Sequence, residues 1–209
     1  MEFLERMGVP AHQIASFELI DHALLRCVAR TGKPIIMSTG MATLAEIEEA
    51  VSVVRAVGGK QLAFLKCTNA FPARAEAMHL HTIADFSQRF NVPIGLSDHT
   101  LGIAVPVAAV TPGACIVEKH LTLSRRTPGP DSAFSLEPHE FKQMVEAIRI
   151  AEKSLGRVSY EWMAGETASR IFRRSLIVVQ EIVAGDVLSE ENVPSDPAMD
   201  WLQNICQMS

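Results

Sequence analysis

The sequence predicts an α/β fold, and more narrowly part of a (β/α)8 barrel. Short apolar runs typical of buried strands alternate five times with segments of helical periodicity, and the absence of hairpin signals predicts parallel strands with crossover helices. Polar residues follow all five runs, which favours a barrel, because a doubly wound sheet carries its chemistry only where the strand order switches. A complete barrel has eight strands, so either three strands are missing from the front or the barrel interpretation is wrong.

The elements follow in order along the chain. The predicted strands are residues 12–17, 34–37, 62–66, 92–96 and 114–117. The predicted helices are residues 1–8, 19–29, 43–57, 76–90, 103–110 and 138–155. Thr43 and Glu46 have the spacing of a capping box, and Pro138 suits the first position of a helix. In the second helix, Leu19, Ala23, Leu24 and Cys27 or Val28 are spaced for one buried stripe.

Three parts follow along the chain: a partial barrel domain over residues 1–157, a polar connector over residues 158–170, and the start of a small β-rich domain over residues 171–209. The last part contains a predicted strand at residues 175–180, a turn at residues 184–186 and a short helical turn at residues 189–192. At 209 residues the chain has room for one large domain and a small appendage.

Composition narrows the class of protein. Apolar residues make up 48% of the chain and charged residues 21%, which is typical of a globular enzyme. The formal net charge of −5, with Arg170, Arg173 and Arg174 as the single basic cluster, argues against nucleic acid as a partner. No apolar run approaches the roughly 20 residues that a membrane span needs. The acidic amphipathic N-terminus is not a signal peptide, so we expect a cytoplasmic protein without a membrane partner.

Cysteine usage agrees with that compartment. Cys27, Cys67, Cys115 and Cys206 fall singly, without ligand spacing. We expect four buried, reduced thiols.

Two histidines follow consecutive predicted strands and are the strongest candidates for function. Because side chains alternate along a strand, Ser97 and His99 share one face, Asp98 takes the other, and Glu118 shares a face with His120. A single histidine beside a strand is more often a hydrogen-bonded structural residue. The pair, at equivalent ends of neighbouring strands, instead predicts a shared metal ion, with Ser97, His99, Glu118 and His120 on a common inner surface.

Six motifs follow one another along the chain: QIASFE (residues 13–18), KPIIMSTGMATLAEIEEAV (33–51), KCTNAFP (66–72), GLSDHTLGIAVPVAAV (95–110), EKHLTL (118–123) and GPDSAFSLEP (129–138). Taken in this order, they resemble the sialic acid synthase family. Within the family, LGIAVPVAAV, GPDSAFSLEP and SRIFRRSL are most similar to pseudaminic acid synthases. The resemblance covers roughly residues 1–193.

The resemblance implies a (β/α)8 barrel, here about strands 4–8, followed by an antifreeze-like (SAF) domain in a domain-swapped homodimer. Such enzymes are transferases that form a C–C bond between phosphoenolpyruvate and an amino sugar, either an acetamido hexose or a trideoxy hexose. They use Mn²⁺, with Mg²⁺ or Co²⁺ as alternatives. By position, His99 and His120 match the metal ligands, and Phe71 stands where the family often has a tyrosine beside the substrate. Asp131 matches a catalytic acidic residue near the sugar, and the phosphoenolpyruvate-binding positions are Ser16, Ser38, Asn69 and Ser97.

These residue types suit that chemistry. A metal held by two neutral imidazoles with open positions can polarise an aldehyde oxygen toward the enol carbon of phosphoenolpyruvate. Hydroxyl and amide groups can bind phosphate and carboxylate. Asp131 could accept a sugar hydroxyl proton or orient water, and a turn-forming aspartate explains the residue equally well.

The sequence also departs from the family. Gln13 stands at the position of a phosphate-binding lysine, so a fixed charge is replaced by a neutral amide. The first three strands, which would bring an acidic residue and another lysine, are expected to precede this chain. Residues 194–209 do not match, and we interpret them as an altered reading frame or a truncated end.

The main hypothesis is a nonulosonic acid synthase of the pseudaminic type that is incomplete in this chain. The alternatives are an inactive truncated remnant that serves at most as an association surface, an N-acetylneuraminate or legionaminic acid synthase, and an unrelated metal-dependent aldolase barrel.

Overall fold

The computed structural model describes residues 1–197. The chain divides into two compact units, Met1–Gly156 and Arg157–Ser209. Cys206 and the greater part of the unmatched segment 194–209 lie outside the described residues. No helix in the described part is long and apolar enough to cross a membrane.

The first unit is built on a five-stranded parallel sheet. Its strands are β1 (His12–Ile14), β2 (Ile35–Ser38), β3 (Leu62–Cys67), β4 (Ile94–Asp98) and β5 (Ile116–Lys119). Each strand pairs in parallel with the next one along the chain, in the order β1-β2-β3-β4-β5. This order has no switch point, which excludes the doubly wound alternative within the described sheet.

The sheet is strongly curled. Gln13 on β1 donates a hydrogen bond from Nε2 to Oε2 of Glu118 on β5 over 2.6 Å. In a flat sheet the first and fifth strands lie about 19 Å apart, four spacings of about 4.8 Å, which is too far for these two side chains to meet. The concave face therefore brings the two edge strands together, as in part of a barrel.

Helices alternate with the strands and cover the convex face. They are α1 (Glu2–Arg6), α2 (His22–Ala29), α3 (Leu44–Ala56), α4 (His81–Phe90), α5 (Ala104–Ala109) and α6 (Pro138–Leu155). The predicted capping box is confirmed: Thr43 accepts a hydrogen bond from the Glu46 amide, and the Glu46 carboxylate accepts one from the Thr43 amide. Pro138 occupies the first turn of α6 as predicted.

The hydrophobic core lies between the sheet and these helices. Phe64 of β3 is fully buried, and its ring centroid lies 5.1 Å from that of Phe90 and 6.3 Å from that of Phe86, both on α4. Both pairs meet nearly edge to face, an arrangement that adds to the energy of apolar burial.

Some predicted boundaries are wrong. The strand expected over residues 12–17 ends at Ile14, and a 3₁₀ helix (Ser16–Glu18) follows it because the Glu18 carboxylate accepts the Ala15 amide. The helix expected over residues 76–90 is broken into a 3₁₀ turn (Ala75–Ala77) and α4, with His79 at a positive φ between them.

The stripe predicted for α2 is confirmed for Leu19, Leu24 and Val28, which are buried or packed against the core, and is wrong for Ala23 and Cys27. Asp21 caps the helix by accepting hydrogen bonds from the Ala23 and Leu24 amides, so α2 begins at His22 rather than at Leu19. The face of α2 that is turned to the core carries Leu25, Val28 and Ala29, and Ala23 and Cys27 lie on the exposed side.

The expectation of buried cysteines holds for Cys67 and fails for Cys27 and Cys115, which are exposed. Cys27 lies on the exposed face of α2, and Cys115 precedes the edge strand β5.

The second unit is small and short of regular structure. It contains α7 (Ala164–Thr167), a 3₁₀ helix (Ala168–Phe172) and an antiparallel pair of three-residue strands, β6 (Arg174–Leu176) and β7 (Ser195–Pro197). The predicted strand at residues 175–180 is thus confined to its first two residues. The guanidinium groups of Arg170 and Arg173 lie 4.8 and 5.3 Å from the centroid of the Trp162 ring.

Candidate functional site

A cavity of about 350 Å³ opens at the carboxyl ends of the strands. The curl of the sheet creates it, because side chains from all five strand ends converge on the concave face. All eight residues singled out from the sequence line this cavity: Ser16, Ser38, Asn69, Phe71, Ser97, His99, His120 and Asp131. The structure therefore brings the predicted set together.

The two imidazoles are close neighbours in the cavity lining. The ring centroids of His99 and His120 are 5.2 Å apart. Nδ1 of His99 lies 3.2 Å from the carbonyl oxygen of Thr68, which can only accept, so this nitrogen carries the proton. Nδ1 of His120 lies 3.6 Å from a carboxylate oxygen of Asp131. The proton on Nδ1 of His99 leaves the lone pair of its Nε2 for another ligand, and Nδ1 of His120 lies on the side of that ring nearest Asp131.

This arrangement fits a divalent cation. Metal-binding histidines usually direct the second ring nitrogen at a carbonyl or a carboxylate, which fixes the ring and raises its basicity. Among the described residues no group of three or more His, Cys, Asp or Glu side chains is placed to hold a metal. Two imidazoles would leave most coordination positions open for water and substrate.

Cys67 is a member of the site that the sequence reasoning missed. Its thiol lies 3.9 Å from Nδ1 of His99 and donates to Oδ1 of Asn69 over 3.1 Å. Burial by itself raises the pKa of this thiol, but contacts with His99, Ser16 and Ser97 reverse the effect and lower it. The sequence feature that could have indicated a role for Cys67 is its position in the KCTNAFP motif.

The pKa of His99 is raised above its ordinary value. Burial favours the neutral ring and lowers this pKa, but the contacts with the Cys67 thiol and the Thr68 carbonyl outweigh it. The same two contacts, with Cys67 at the end of β3 and Thr68 after it, hold the ring from the β3 side.

An aromatic wall encloses the imidazoles. The Phe71 ring lies 4.4 Å from His99 and 6.4 Å from His120, between centroids, and Phe134 lies 5.1 Å from His120. Phe71 remains half exposed at the cavity edge. Such a wall supports the rings on one side and offers a bound molecule an apolar face.

The opposite side of the cavity is polar. Ser16 Oγ accepts a hydrogen bond from the Gly40 amide over 3.1 Å, and Nδ2 of Asn69 is buried without a hydrogen-bond partner. A Cβ at Gly40 would lie 2.4 Å from Oδ1 of Asn69 and 2.8 Å from Oγ of Ser16. Only glycine leaves room for both side chains, and the orphan Nδ2 donor marks a place for a ligand oxygen.

Glu118 belongs to the site as well. Its two carboxylate oxygens each accept a hydrogen bond of 2.6 Å, one from Ser97 Oγ and one from Gln13 Nε2. The sequence placed Glu118 on the inner surface by alternation, which is confirmed, but assigned it no partner. The contact with Gln13 spans 105 positions of sequence and depends on the curl of the sheet.

The fixed charges among the described residues that line the cavity are all negative. Glu118 and Asp131 contribute two carboxylates, and no lysine or arginine is among the lining residues in the described part of the chain. An anion entering this cavity would therefore meet hydroxyl, amide and imidazole groups rather than a fixed positive side chain.

Comparison with known proteins gives one consistent answer. Residues 1–160 match the NeuB family. The pseudaminic acid synthase of Campylobacter jejuni (strain 81-176) is 42% identical over 195 residues, which cover 93% of this chain and 57% of that protein. The N,N'-diacetyllegionaminic acid synthase of Campylobacter jejuni (strain NCTC 11168) is 37% identical over 196 residues, or 92% of this chain and 59% of that protein.

A solved structure agrees with the sequence match. The N-acetylneuraminic acid synthetase of Leptospira borgpetersenii superimposes with a TM-score of 0.74 at 34% identity, covering 80% of this chain and 59% of that one. The curled five-stranded sheet thus corresponds to part of a sialic acid synthase barrel. In each of these comparisons the chain spans less than three fifths of the protein it matches.

Proposed function

The chain belongs to the NeuB family, and from this premise we propose that it is the core of a nonulosonic acid synthase. The reaction proposed is the condensation of phosphoenolpyruvate with an amino sugar, with formation of a C–C bond and release of phosphate. The substrate sugar is an acetamido hexose or a trideoxy hexose. The pseudaminic type is favoured, because the pseudaminic acid synthase compared here is the more similar of the two relatives.

One observation supports the proposal above the others. Eight residues chosen from the sequence, spread from position 16 to position 131, line one cavity, and the two histidines stand with ring centroids 5.2 Å apart. A set of unrelated structural residues has no reason to converge in this way.

The chain's own groups can bind phosphoenolpyruvate through hydrogen bonds. Ser16 and Ser38 offer hydroxyl donors, and the orphan Nδ2 of Asn69 offers an amide donor. Ser97 can donate to the substrate only by giving up its hydrogen bond to Glu118. Donors fixed before the substrate arrives need no reorganisation when charge develops, which favours the transition state.

His99 and His120 are the proposed ligands of a divalent cation, Mn²⁺ in the first instance and Mg²⁺ or Co²⁺ as alternatives. Bound there, the cation would supply Lewis acidity toward the aldehyde oxygen of the sugar. Asp131 lines the cavity beside His120 and is proposed to face the sugar, where its carboxylate would accept a hydroxyl proton or orient a water molecule. Phe71 would cover the reacting groups and exclude bulk water.

The assembly around this core is also proposed. Five strands are described, and a barrel needs eight, so the active form requires further strands from another polypeptide segment. The second unit is proposed as the start of an SAF domain, and the active form as a cytoplasmic homodimer in which that domain is swapped. The specific sugar depends on parts of the site that these five strands do not supply.

The test is phosphate release from phosphoenolpyruvate in the presence of Mn²⁺ and each candidate sugar. We expect no turnover by this chain alone, and turnover when it is mixed with a polypeptide carrying the first three barrel strands of a pseudaminic acid synthase. The same mixture made with His99→Ala should be inactive. Turnover that survives this substitution, or a folded mixture that never turns over, would contradict the proposal.

A second candidate is a non-catalytic association surface. The cavity has no lysine or arginine among its described lining residues, and the outer edges of β1 and β5 have no strand partner in the described sheet. Unpaired parallel edges favour pairing with another chain. This reading predicts stable binding of the three-strand polypeptide, measured by sedimentation, without any phosphate release.

A further inference from the structure

A buried ion pair lies behind the two histidines, on the convex face of the sheet. Lys119 Nζ donates to a carboxylate oxygen of Asp98 over 2.6 Å, and the side chains are 1% and 0% exposed. Neither residue lines the main cavity. The proposed reaction gives the pair no role.

The pair is placed by strand register. Asp98 and Lys119 are directly paired in the parallel ladder of β4 and β5. Each is the last residue of its strand, and the next residue along each chain segment is a histidine of the site. Because side chains alternate along a strand, the ion pair lies on the convex face and the imidazoles lie on the concave face, at the same level of the sheet.

The pair also holds the backbone on both sides of His99. The Asp98 carboxylate accepts hydrogen bonds from the Thr100 amide (3.0 Å) and hydroxyl (3.1 Å), and Lys119 donates to the Thr100 carbonyl. The His99 carbonyl accepts the Ala73 amide over 2.9 Å. His99 is thus fixed to β5 through Thr100 and Lys119.

Stability alone is a weak reason for such a pair. Desolvation of two buried charges offsets much of their attraction, and apolar replacements of similar volume are often equally stable. What the pair adds is a fixed distance between two strand ends.

We propose that Asp98 and Lys119 are positioning residues that set the separation of the His99 and His120 imidazoles. This positioning role rests on the proposed function only in one respect, namely that the two imidazoles bind a divalent cation.

The informative variant is the neutral double substitution Asp98→Asn with Lys119→Met. It leaves no unpaired buried charge, and asparagine can still accept the Thr100 amide, while the contacts of Lys119 with Asp98 and Thr100 are lost. Val54→Ala, which truncates a fully buried side chain in α3, is the control for a loss of stability away from the site.

The first measurement needs no metal. Nuclear Overhauser cross-peaks between the ring protons of His99 and His120 report their separation in the full chain, and the Phe64–Phe90 cross-peaks report the core. We expect the double variant to lose the histidine cross-peak and to keep the core cross-peak, and Val54→Ala to keep both. A histidine cross-peak that persists at wild-type intensity, or that is lost only together with the core cross-peak, would overturn the inference.

A second measurement separates this inference from the proposed function. Titration with Co²⁺, followed by its visible absorption, should show binding by the wild-type chain and none by His99→Ala. The double variant should bind about tenfold more weakly or worse, as expected for the loss of a partner behind a metal ligand. If the wild type binds no Co²⁺, the metal proposal fails, and the cross-peaks still decide the positioning role. Equal Co²⁺ affinity in the wild type and the double variant overturns the positioning role.

Discussion

The most direct test of the polar side of the cavity is the substitution Gln13→Lys. Gln13 lies on β1 with Nε2 2.6 Å from Oε2 of Glu118, and it stands where the family resemblance places a phosphate-binding lysine. An ammonium at this position would keep the contact with Glu118 and would add the fixed positive charge that the described lining lacks.

The size of the effect follows from exposure and distance. Two unit charges 4 Å apart near a protein surface attract by about 4 kcal/mol. Residue 13 is exposed and the new ammonium would be shared with Glu118, so we expect the lower value typical of one hydrogen bond to a charged group, about 1.5–3 kcal/mol. That range corresponds to about ten- to a hundredfold tighter binding of phosphoenolpyruvate.

The assay is calorimetric titration with phosphoenolpyruvate at low and at physiological ionic strength, with Mn²⁺ present. Gln13→Met, which has a similar length and no charge, is the matched control and should bind no tighter than the wild type. The gain for Gln13→Lys should shrink as salt is added. Equal affinity for the lysine and methionine variants would refute the assignment of the anion to this side of the cavity.

The remaining predictions concern the metal, the core and the pH dependence. His99→Ala and His120→Ala should each abolish tight Mn²⁺ binding, measured by electron paramagnetic resonance in any complemented form, and unchanged affinity would remove the metal assignment. Gly95→Ala should lower the free energy of unfolding by about 1–3 kcal/mol in urea titrations, because the added methyl would lie 2.5 Å from a β5 carbonyl oxygen; an unchanged midpoint would contradict the packing. Arg125 hydrogen-bonds Glu140 and lowers the pKa of that carboxyl to about 2. A lowered pKa stabilises the fold above the ordinary value of 4.5 and ceases to do so as the pH falls toward 2. Arg125→Met should therefore lower the free energy of unfolding slightly near neutral pH, because the pair is partly exposed, and by less near pH 2; an equal loss at both pH values would refute the linkage.

Alternation and strand order were enough to predict the inner surface of the site. Ser97, His99, Glu118 and His120 all reach the cavity because two short strands end at the same level, and both strand ends could be located from apolar runs followed by polar motifs. The burial of Asp98 on the other face follows from the same rule. Alternation along a strand is a local property, so it can be applied without knowledge of distant parts of the chain.

Two of the wrong boundaries have the same physical cause, which is capping by side chains. The start of α2 depends on the Asp21 carboxylate and the end of β1 on that of Glu18, and neither contact is visible in hydrophobic periodicity. The contact of Gln13 with Glu118 could not be predicted either, because it depends on the curvature of the whole sheet.

That contact links the shape of the cavity to its charge. Both oxygens of Glu118 are already engaged, by Ser97 and by Gln13, so the carboxylate serves to join β1 to β5 across the concave face. An anion placed beside it gains from hydrogen-bond donors but is repelled by Glu118 and Asp131, whose effect is strong where water is excluded. A cation on His99 and His120 would reverse the sign of the local potential. The geometry therefore favours binding of the cation before the anion, or together with it. A lysine at position 13 would allow the anion to bind without the cation.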